Sequence, residues 1–247
     1  MPVTDIFIRS YFKDFEWLEY CLKSIDIFCS GYRNIIVVVP EQSLARIKKC
    51  KSPFSNCQIK ICENFEDDYM GQQVTKLYAD SFSDADFICH VDSDCIFRNP
   101  FDIKEWISKN KIAINYAPYS KMNRPKNYHW KVCTDTFLDL DTANEFMLRD
   151  PYIYPRWVYP EFRNYCNSKY KVDLYEFIIK CRPRAFSEYN TMGAFLYHYF
   201  YNDFIWNDLT LEKNTSPCKN FWSYGGITPS IKSEILGYFS TKSNLQR

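Results

Sequence analysis

The feature that most constrains the fold is a regular alternation of strand-like and helix-like patterns over the first ninety residues. The clearest strand is the β-branched run at 35–39, which Pro40 bounds. Such a run predicts a strand that is buried on both faces of a sheet. The apolar residues of Phe15–Phe28 recur at helical spacing, and Gly31 follows as a stop signal. Strands that alternate with helices pair in parallel, so the sequence predicts an α/β fold.

The remaining elements follow from the same patterns. In the first half, strands are predicted over 5–11, 58–62 and 86–91, and helices over 41–49 and 70–82. Further along the chain, the patterns predict a short helix over 101–109, a strand over 112–117, a polar loop over 118–130, an irregular connection around Pro151, Pro155 and Pro160, and helices over 162–180 and 187–204. The loop suits a lid or an acceptor contact. We find no linker, so one domain over 1–247 is expected.

Composition excludes several classes of partner. The 31 Lys and Arg residues nearly balance the 30 Asp and Glu residues, which gives no sign of a nucleic-acid or membrane-surface footprint. Charged residues near the N-terminus argue against a signal peptide, and no apolar run approaches transmembrane length. The 11 cysteines include no C-x-x-C pair, so free thiols in a reducing compartment are expected. We therefore predict a soluble, cytoplasmic protein.

The most informative motif is a pair of carboxylates at the end of a strand. Phe87, Ile88 and other apolar residues lead directly into Asp92-Ser93-Asp94. Open α/β sheets bind their ligands at the carboxyl ends of their strands. Carboxylate oxygens suit Mg²⁺ or Mn²⁺, which keep water or substrate phosphates in their other positions. The competing interpretation is a solvated Asp-Ser-Asp turn.

Several segments together resemble the GT-A fold of nucleotide-sugar glycosyltransferases. They are residues 4–11, 70–77, 90–94 with 99–101, and 186–189, and they are similar to small bacterial and large-DNA-virus enzymes, in particular chlorella-virus capsid glycosyltransferases. The resemblance implies a Rossmann-like, mixed and mainly parallel sheet flanked by helices. It also implies a nucleotide-sugar-binding half over 1–117 and a helical acceptor-side half over 118–247. The composition, rich in Lys, Asn, Ile, Tyr and Phe, is consistent with a viral or bacterial source.

The resemblance also implies an activity and its cofactor. A glycosyltransferase of this kind moves a hexose or deoxyhexose from a nucleoside diphosphate sugar, here expected to be a UDP-sugar, to a hydroxyl of a glycan or glycoprotein. The expected cofactor is Mn²⁺ or Mg²⁺, and for a viral enzyme the expected location is the host cytoplasm. The metal neutralises the diphosphate as it leaves.

Individual residues take roles by the same resemblance. The carboxylates Asp92 and Asp94 are expected to hold the metal, with Asp92 facing the ribose or a metal-bound water and Asp94 bound directly. A third ligand is not identified, because none of the three histidines matches the pattern. The residues expected to bind the nucleotide sugar are Arg9, Ser10, Tyr11, Gln73, Lys76, Asp92, Ser93, Trp222 and Gly225.

For most of these positions an interpretation without chemistry competes. Tyr11 can stack on a base, or it can be an ordinary surface aromatic. Gln73 and Lys76 can belong to a solvated helix face. The glycines beside Trp222 let backbone N–H groups approach a diphosphate, although a plain turn fits equally well.

Glu188 is the candidate that acts near the acceptor, together with Asp94 at the metal. It can deprotonate the acceptor hydroxyl in an inverting reaction or support an oxocarbenium-like transition state in a retaining one. Its competing role is a stabilising charge in the first turn of a helix capped by Ser187.

Two other functions remain open at this point. A carbohydrate-binding module would keep the aromatic cleft without catalysis, and its glycan binding would be indifferent to metal and nucleotide. An Asp-dependent phosphatase would use the first Asp of the motif as a nucleophile. That class expects the motif on an early strand followed by Thr or Val, whereas Cys95 and Ile96 follow here.

Overall fold

The computed structural model describes residues 2–47, 57–108, 111–125, 128–148, 151–211 and 216–245 of the chain. The helices in these ranges are α1 (Phe15–Phe28), α2 (Leu44–Ile47), α3 (Asp68–Leu77), α4 (His129–Leu138), α5 (Val158–Tyr170), α6 (Leu174–Ile179), α7 (Glu188–Tyr199) and α8 (Pro229–Leu245). The strands are β1 (Thr4–Arg9), β2 (Cys29–Ser30), β3 (Ile35–Pro40), β4 (Cys57–Cys62), β5 (Phe87–His90), β6 (Cys95–Phe97), β7 (Phe101–Asp102), β8 (Ile107–Ser108), β9 (Lys111–Pro118), β10 (Asn144–Glu145), β11 (Tyr152–Pro155), β12 (Ile205–Asp208) and β13 (Cys218–Asn220).

The central sheet has the strand order β11-β5-β1-β3-β4. The strands β5, β1, β3 and β4 are mutually parallel, and β11 runs antiparallel to β5. Both β1 and β3 are buried along their whole length, as the β-branched run predicts. The edge strand β4 is largely exposed. The prediction of an α/β fold with a mixed, mainly parallel sheet flanked by helices is confirmed.

The pairing of β1 with β5 determines where the site lies. Their parallel register joins Phe7 to His90, and the Val91 amide donates to the Phe7 carbonyl over 3.0 Å. The carboxyl ends of the two strands therefore meet at one edge of the sheet. Arg9-Ser10-Tyr11 and Asp92-Ser93-Asp94 leave the sheet side by side there.

The second half is less helical than expected. A smaller sheet has the order β10-β9-β12, and β8 also pairs with β9. A single cluster of buried side chains includes residues of both halves, from Ile6 through Phe137 to Ile235. The second half therefore joins the first through a shared core and contributes strands as well as helices.

The predicted short helix over 101–109 is wrong. The segment contains β7, a 3₁₀ turn over Ile103–Trp106, and β8, while residue 109 lies outside the described ranges. The pairing of β7 with β2 fixes Phe101 as strand, and the Asp102 side chain accepts a bond from the Lys104 amide at the start of the turn. Tertiary pairing overrides the local pattern.

The predicted helix over 162–180 is two helices, because the chain turns between α5 and α6. Lys171 ends α5 in the left-handed conformation with φ of 57°. The Asp173 carboxylate then accepts from the Tyr175 amide and begins α6. The predicted helix over 187–204 likewise ends early, and a 3₁₀ turn over Tyr201–Asp203 follows α7.

The predicted irregular connection around the three prolines contains a strand of the central sheet. Tyr152–Pro155 forms β11 at the sheet edge, where a proline is tolerated because one side of the strand needs no ladder bond. Pro160 lies in the first turn of α5, a position at which proline also fits.

The predicted loop over 118–130 holds a 3₁₀ turn over Tyr119–Lys121 and the start of α4, and residues 126 and 127 lie outside the described ranges.

The predicted helix over 41–49 appears as a 3₁₀ turn over Glu41–Ser43 and then α2, and residues 48 and 49 lie outside the described ranges.

The ten cysteines in the described ranges are thiols, and Cys50 lies outside those ranges. Among the described residues, no helix combines the length and apolar character that a membrane span requires.

Gly193 gives a test of the packing between α7 and the smaller sheet. A Cβ added there would lie 2.4 Å from the Phe146 Cβ, whereas one added at Gly237 of α8 meets no atom within 4 Å. We expect Gly193→Ala to destabilise the protein by about 1–3 kcal/mol through overpacking. Gly237→Ala, the matched control, should be neutral or stabilising by up to about 1 kcal/mol. Thermal unfolding of both variants measures the difference, and equal midpoints would contradict the packing described here.

Candidate functional site

A cavity of about 600 Å³ lies at the carboxyl ends of β1 and β5. Its wall contains ten of the positions singled out from the sequence, and Gly225 is not among the described residues that line it. The ten are Arg9, Ser10, Tyr11, Gln73, Lys76, Asp92, Ser93, Asp94, Glu188 and Trp222. Segments that are distant in the sequence therefore converge on one space.

Lys76 connects three of these segments. Its Nζ atom on α3 lies 2.7 Å from Asp92 Oδ1 and 2.9 Å from Glu188 Oε1. The residue is only 4% exposed. Burial lowers the pKa of this ammonium, but the Asp92 and Glu188 carboxylates more than offset that effect and raise the pKa above its usual range. The Tyr189 ring lies 4.7 Å from Nζ and adds a cation–π contact.

Asp94 anchors a segment near the C-terminus. Its carboxylate Oδ2 accepts a hydrogen bond from the Ser223 amide over 2.9 Å, and its backbone carbonyl accepts from the Phe221 amide over 2.9 Å. Strand β13 continues this contact by pairing antiparallel with β6. Trp222 and Tyr224 are thereby held at the cavity although they are 73% and 89% exposed.

Two carboxyl groups at this end have raised pKa values. Burial, followed by the charge of Asp92, raises the pKa of Asp94 to about 7. Burial also raises the pKa of Asp14 to about 6, with a further contribution from Asp68, although a hydrogen bond with Ser223 acts in the opposite direction. Burial is the main cause in both cases, so ionising these two carboxyl groups without a bound cation is unfavourable.

Asp14 was missed by sequence reasoning because its position has an ordinary explanation. An Asp immediately before a helix indicates an N-cap. In the structure, however, the Asp14 side chain makes no capping hydrogen bond to α1, and it lines the cavity instead.

The donor set at Asp14 and Asp94 fits a divalent cation that keeps water or phosphate ligands. Both side chains offer carboxylate oxygens, which hard cations such as Mg²⁺ and Mn²⁺ prefer, and a bound cation would offset the cost of ionising two buried acids. Within the described ranges, no three His, Cys, Asp or Glu side chains form a metal-binding group. A third protein ligand is therefore not identified among the described residues.

Three buried polar atoms of cavity-lining residues have no hydrogen-bond partner among the described residues. Arg9 is buried and pairs with Asp68 through both of its terminal nitrogens, one over 2.9 Å. Within the part of the chain that the structure describes, the buried atoms Arg9 Nε, Ser10 Oγ and Gln73 Oε1 have no hydrogen-bond partner. Buried polar groups are normally satisfied, so water or a ligand must supply partners here.

The three histidines lie in three different environments. His90 is buried behind the cavity, where its Nε2 lies 2.6 Å from the Tyr159 hydroxyl. Burial lowers the pKa of His90 to about 3, so the ring is neutral at physiological pH. His129 lines the cavity, and His198 lies in the last turn of α7.

A second set of residues in the cavity wall is mainly aromatic and was not predicted residue by residue. We call it the aromatic end; it contains Tyr69, Tyr128, His129, Trp130, Met147 and Arg184. Tyr128, His129 and Trp130 come from the segment over 118–130 that was predicted to be a lid or an acceptor contact. Either role stays a prediction. Arg184 and Tyr69 gave no signal, because they follow ordinary surface patterns in the sequence.

Asn190 fixes the aromatic end against α7. Its Nδ2 donates to the Trp130 carbonyl over 3.1 Å and to Thr134 Oγ1 over 2.8 Å. Its Oδ1 accepts from the amides of Phe146 and Met147 over 2.7 and 3.3 Å. The same helix begins with Glu188, so α7 holds both the ion pair and the aromatic end in a fixed relation.

The fold and the site define the class as an α/β protein with a carboxylate-rich cavity at the ends of its parallel strands. The chain belongs to the DUF6492 family, a family of unknown function, whose model matches residues 3–217. A search of curated proteins finds no match. The matched segment includes Asp92, Asp94, Lys76 and Glu188, whereas Trp222 lies beyond it.

The ion pairs of Lys76 predict a non-additive effect on stability. In Lys76→Met, Asp92 and Glu188 keep their charges without the buried cation, and we expect a loss of about 3 kcal/mol in the free energy of unfolding. Adding Glu188→Gln removes one stranded carboxylate and should restore part of that loss. Urea unfolding of both single variants and the double variant measures the coupling.

Lys180→Met is the control for this cycle, because Lys180 pairs with Glu176 on an exposed helix face. It should change stability by less than about 0.5 kcal/mol. Strictly additive effects of Lys76→Met and Glu188→Gln would contradict the coupling.

Glu145 predicts a dependence of stability on pH. It is fully buried on β10 beside Tyr119, and burial raises its pKa from the ordinary 4.5 to about 7, although the Tyr119 hydroxyl and the Arg124 charge act in the opposite direction. The folded protein therefore binds a proton that the unfolded chain releases, so stability falls as pH rises from 4.5 to about 7. The cost at pH 8 is about 3 kcal/mol at most.

Glu145→Gln removes this cost, so we expect its unfolding midpoint to rise more at pH 8 than at pH 5. Glu176→Gln, the same change at an exposed position, should show no such difference. A Glu145→Gln effect of equal size at both pH values would rule out a raised pKa as the cause.

Proposed function

We propose that this protein is a metal-dependent glycosyltransferase of GT-A type, located in the cytoplasm. It transfers a hexose or deoxyhexose from a UDP-sugar to a hydroxyl of a glycan or glycoprotein. The observation that carries the proposal is the meeting of the β5-end carboxylates with Lys76 and Glu188 in one cavity. A solvated Asp-Ser-Asp turn would not need a buried lysine against its first carboxylate.

The size and lining of the cavity support a nucleotide sugar as the donor. Its volume of about 600 Å³ lies within the range of small-molecule sites. Tyr11 is half-buried at the wall and offers a ring for stacking on a base. The unpartnered atoms of Ser10 and Gln73 can bond the polar edges of a nucleoside.

Asp94 would bind Mn²⁺ or Mg²⁺ directly, and Asp92 would face the ribose or a metal-bound water. Asp14, which lines the same cavity, adds a further carboxylate that the sequence did not indicate. When bound, the cation would neutralise the charge that develops on the leaving diphosphate. The Ser223 amide holds the Asp94 carboxylate in place. Trp222 and Tyr224 flank that contact and can cover the diphosphate.

Glu188 is the residue that we assign to the acceptor side. The Lys76 ammonium fixes its carboxylate at the cavity wall. In the reaction the acceptor oxygen forms a bond to the anomeric carbon, the bond from that carbon to the diphosphate oxygen breaks, and the hydroxyl proton leaves. In an inverting reaction Glu188 accepts that proton. In a retaining reaction Glu188 stabilises positive charge on the sugar ring, and the departing diphosphate oxygen accepts the proton.

Asp94 provides the decisive test. The wild-type protein should show a thermal shift with UDP that requires Mn²⁺, and it should transfer sugar from one class of UDP-sugar. We expect Asp94→Asn, which keeps an oxygen for the Ser223 amide, to lose the Mn²⁺-dependent shift and to reduce transfer at least 100-fold. Asp92→Asn should lose transfer as well.

Asp84→Asn is the matched control, because Asp84 is exposed and pairs with Arg33 away from the cavity. It should keep both binding and transfer. Full activity in Asp94→Asn would exclude the metal assignment. Glycan binding without any response to nucleotide or metal would identify a carbohydrate-binding module, and release of phosphate from phosphomonoesters would identify a phosphatase.

A further inference from the structure

The two ends of the cavity differ in charge. The strand-end side holds Asp14 and Asp94, whose carboxylates favour a cation. The aromatic end holds the guanidinium of Arg184, which lies on the connection between α6 and α7. Lys76 connects the two ends, because its Nζ contacts both Asp92 and Glu188. Burial raises the pKa of Tyr69, and the charges of Glu188, Arg184 and Lys76 also act on this hydroxyl, so all three groups lie near the aromatic end.

Arg184 has two features of a ligand-binding residue. Its backbone has φ of 67°, a left-handed conformation that costs a non-glycine residue free energy and that concentrates at functional sites. In the ranges that the structure describes, its guanidinium forms no ion pair, although an exposed arginine at a cavity wall is available for one. Its guanidinium is therefore accessible to an anion from outside the protein.

The groups around Arg184 are suited to a sugar ring. Tyr128 and Trp130 present aromatic surfaces, on which the apolar faces of sugars pack. A second cation, Arg124, lies 4.2 Å from the Tyr128 ring centroid. Burial, together with the charges of Arg184 and Arg124, lowers the pKa of His129, which is consistent with a positive potential at this end.

We propose that the acceptor is a sugar that carries a negative charge, a phosphate or a carboxylate, and that Arg184 binds this charge at the aromatic end. The inference rests on the proposed function, since it takes the strand-end side as the donor subsite. It deepens that function by naming the class of acceptor. A neutral acceptor would make no use of the Arg184 charge, whereas an anionic one would pair with the guanidinium through charge-assisted hydrogen bonds.

Calorimetric titration of the full chain tests the charge preference without any need for catalysis. The probes are glucose, glucose 6-phosphate, glucuronate and inorganic phosphate, each titrated alone and in the presence of UDP and Mn²⁺. We expect both charged sugars to bind at least tenfold more tightly than glucose, and to do so with UDP bound. Arg184→Gln should lower the affinity for the charged sugars about tenfold and leave UDP binding unchanged.

Arg182→Gln is the matched control, because Arg182 is exposed on the same connection but is absent from the cavity wall. It should leave all affinities unchanged. Equal affinities for glucose and the charged sugars, or equal losses in the two variants, would overturn the inference.

Two further outcomes would also overturn it. Inorganic phosphate that binds as tightly as glucose 6-phosphate would mean an adventitious anion site without a sugar subsite. Charged sugars that compete with UDP would assign Arg184 to the donor.

Failure of the proposed function has a different signature, namely that UDP with Mn²⁺ does not bind to the wild-type protein at all. The titrations without UDP would still measure the charge preference of the aromatic end in that case.

Discussion

The buried ion pairs of Lys76 are the interaction on which the site depends. A lysine that is removed from water is costly unless carboxylates lie against it, and here Asp92 and Glu188 lie within 2.9 Å of its Nζ. The pairs join α3, the end of β5 and the start of α7. They therefore couple the parallel sheet to the helix that holds the aromatic end, and they fix the first carboxylate of the motif in a definite position.

The strand-end side and the aromatic end of the cavity present side chains of opposite charge. Lys76 supplies one positive charge between the carboxylates of Asp92 and Glu188. In the described ranges Asp14 and Asp94 form no salt bridge, and burial is the main reason that the pKa of each is raised. Arg184 has no comparable anion among the described residues. Under the proposed function, the donor with its metal and diphosphate would bind on the strand-end side and the charged acceptor at the aromatic end.

Much of the architecture could be predicted because it depends on local patterns. The run at 35–39 became a strand buried on both faces, and the helix Phe15–Phe28 has the predicted bounds. The predicted secondary structure was wrong where a segment pairs with a strand that is distant in the sequence. Phe101 pairs as a strand with β2, and Tyr152–Pro155 joins the sheet beside β5 although prolines flank and end it. Neither partner is visible from the local sequence.

The sequence by itself determined the alternation of strands and helices and the placement of Asp92 and Asp94 at a strand end, since both follow from periodicities of a few residues. Only the tertiary structure decided which side chains face those carboxylates. Asp14 stands at the position of a helix N-cap in the sequence, but its side chain lines the cavity. Arg184 lies on the connection between α6 and α7, which has no distinctive sequence pattern, and it belongs to the aromatic end. The physical reason is that a side chain's partners depend on packing between segments, such as Lys76 with Glu188, that lie far apart in the chain.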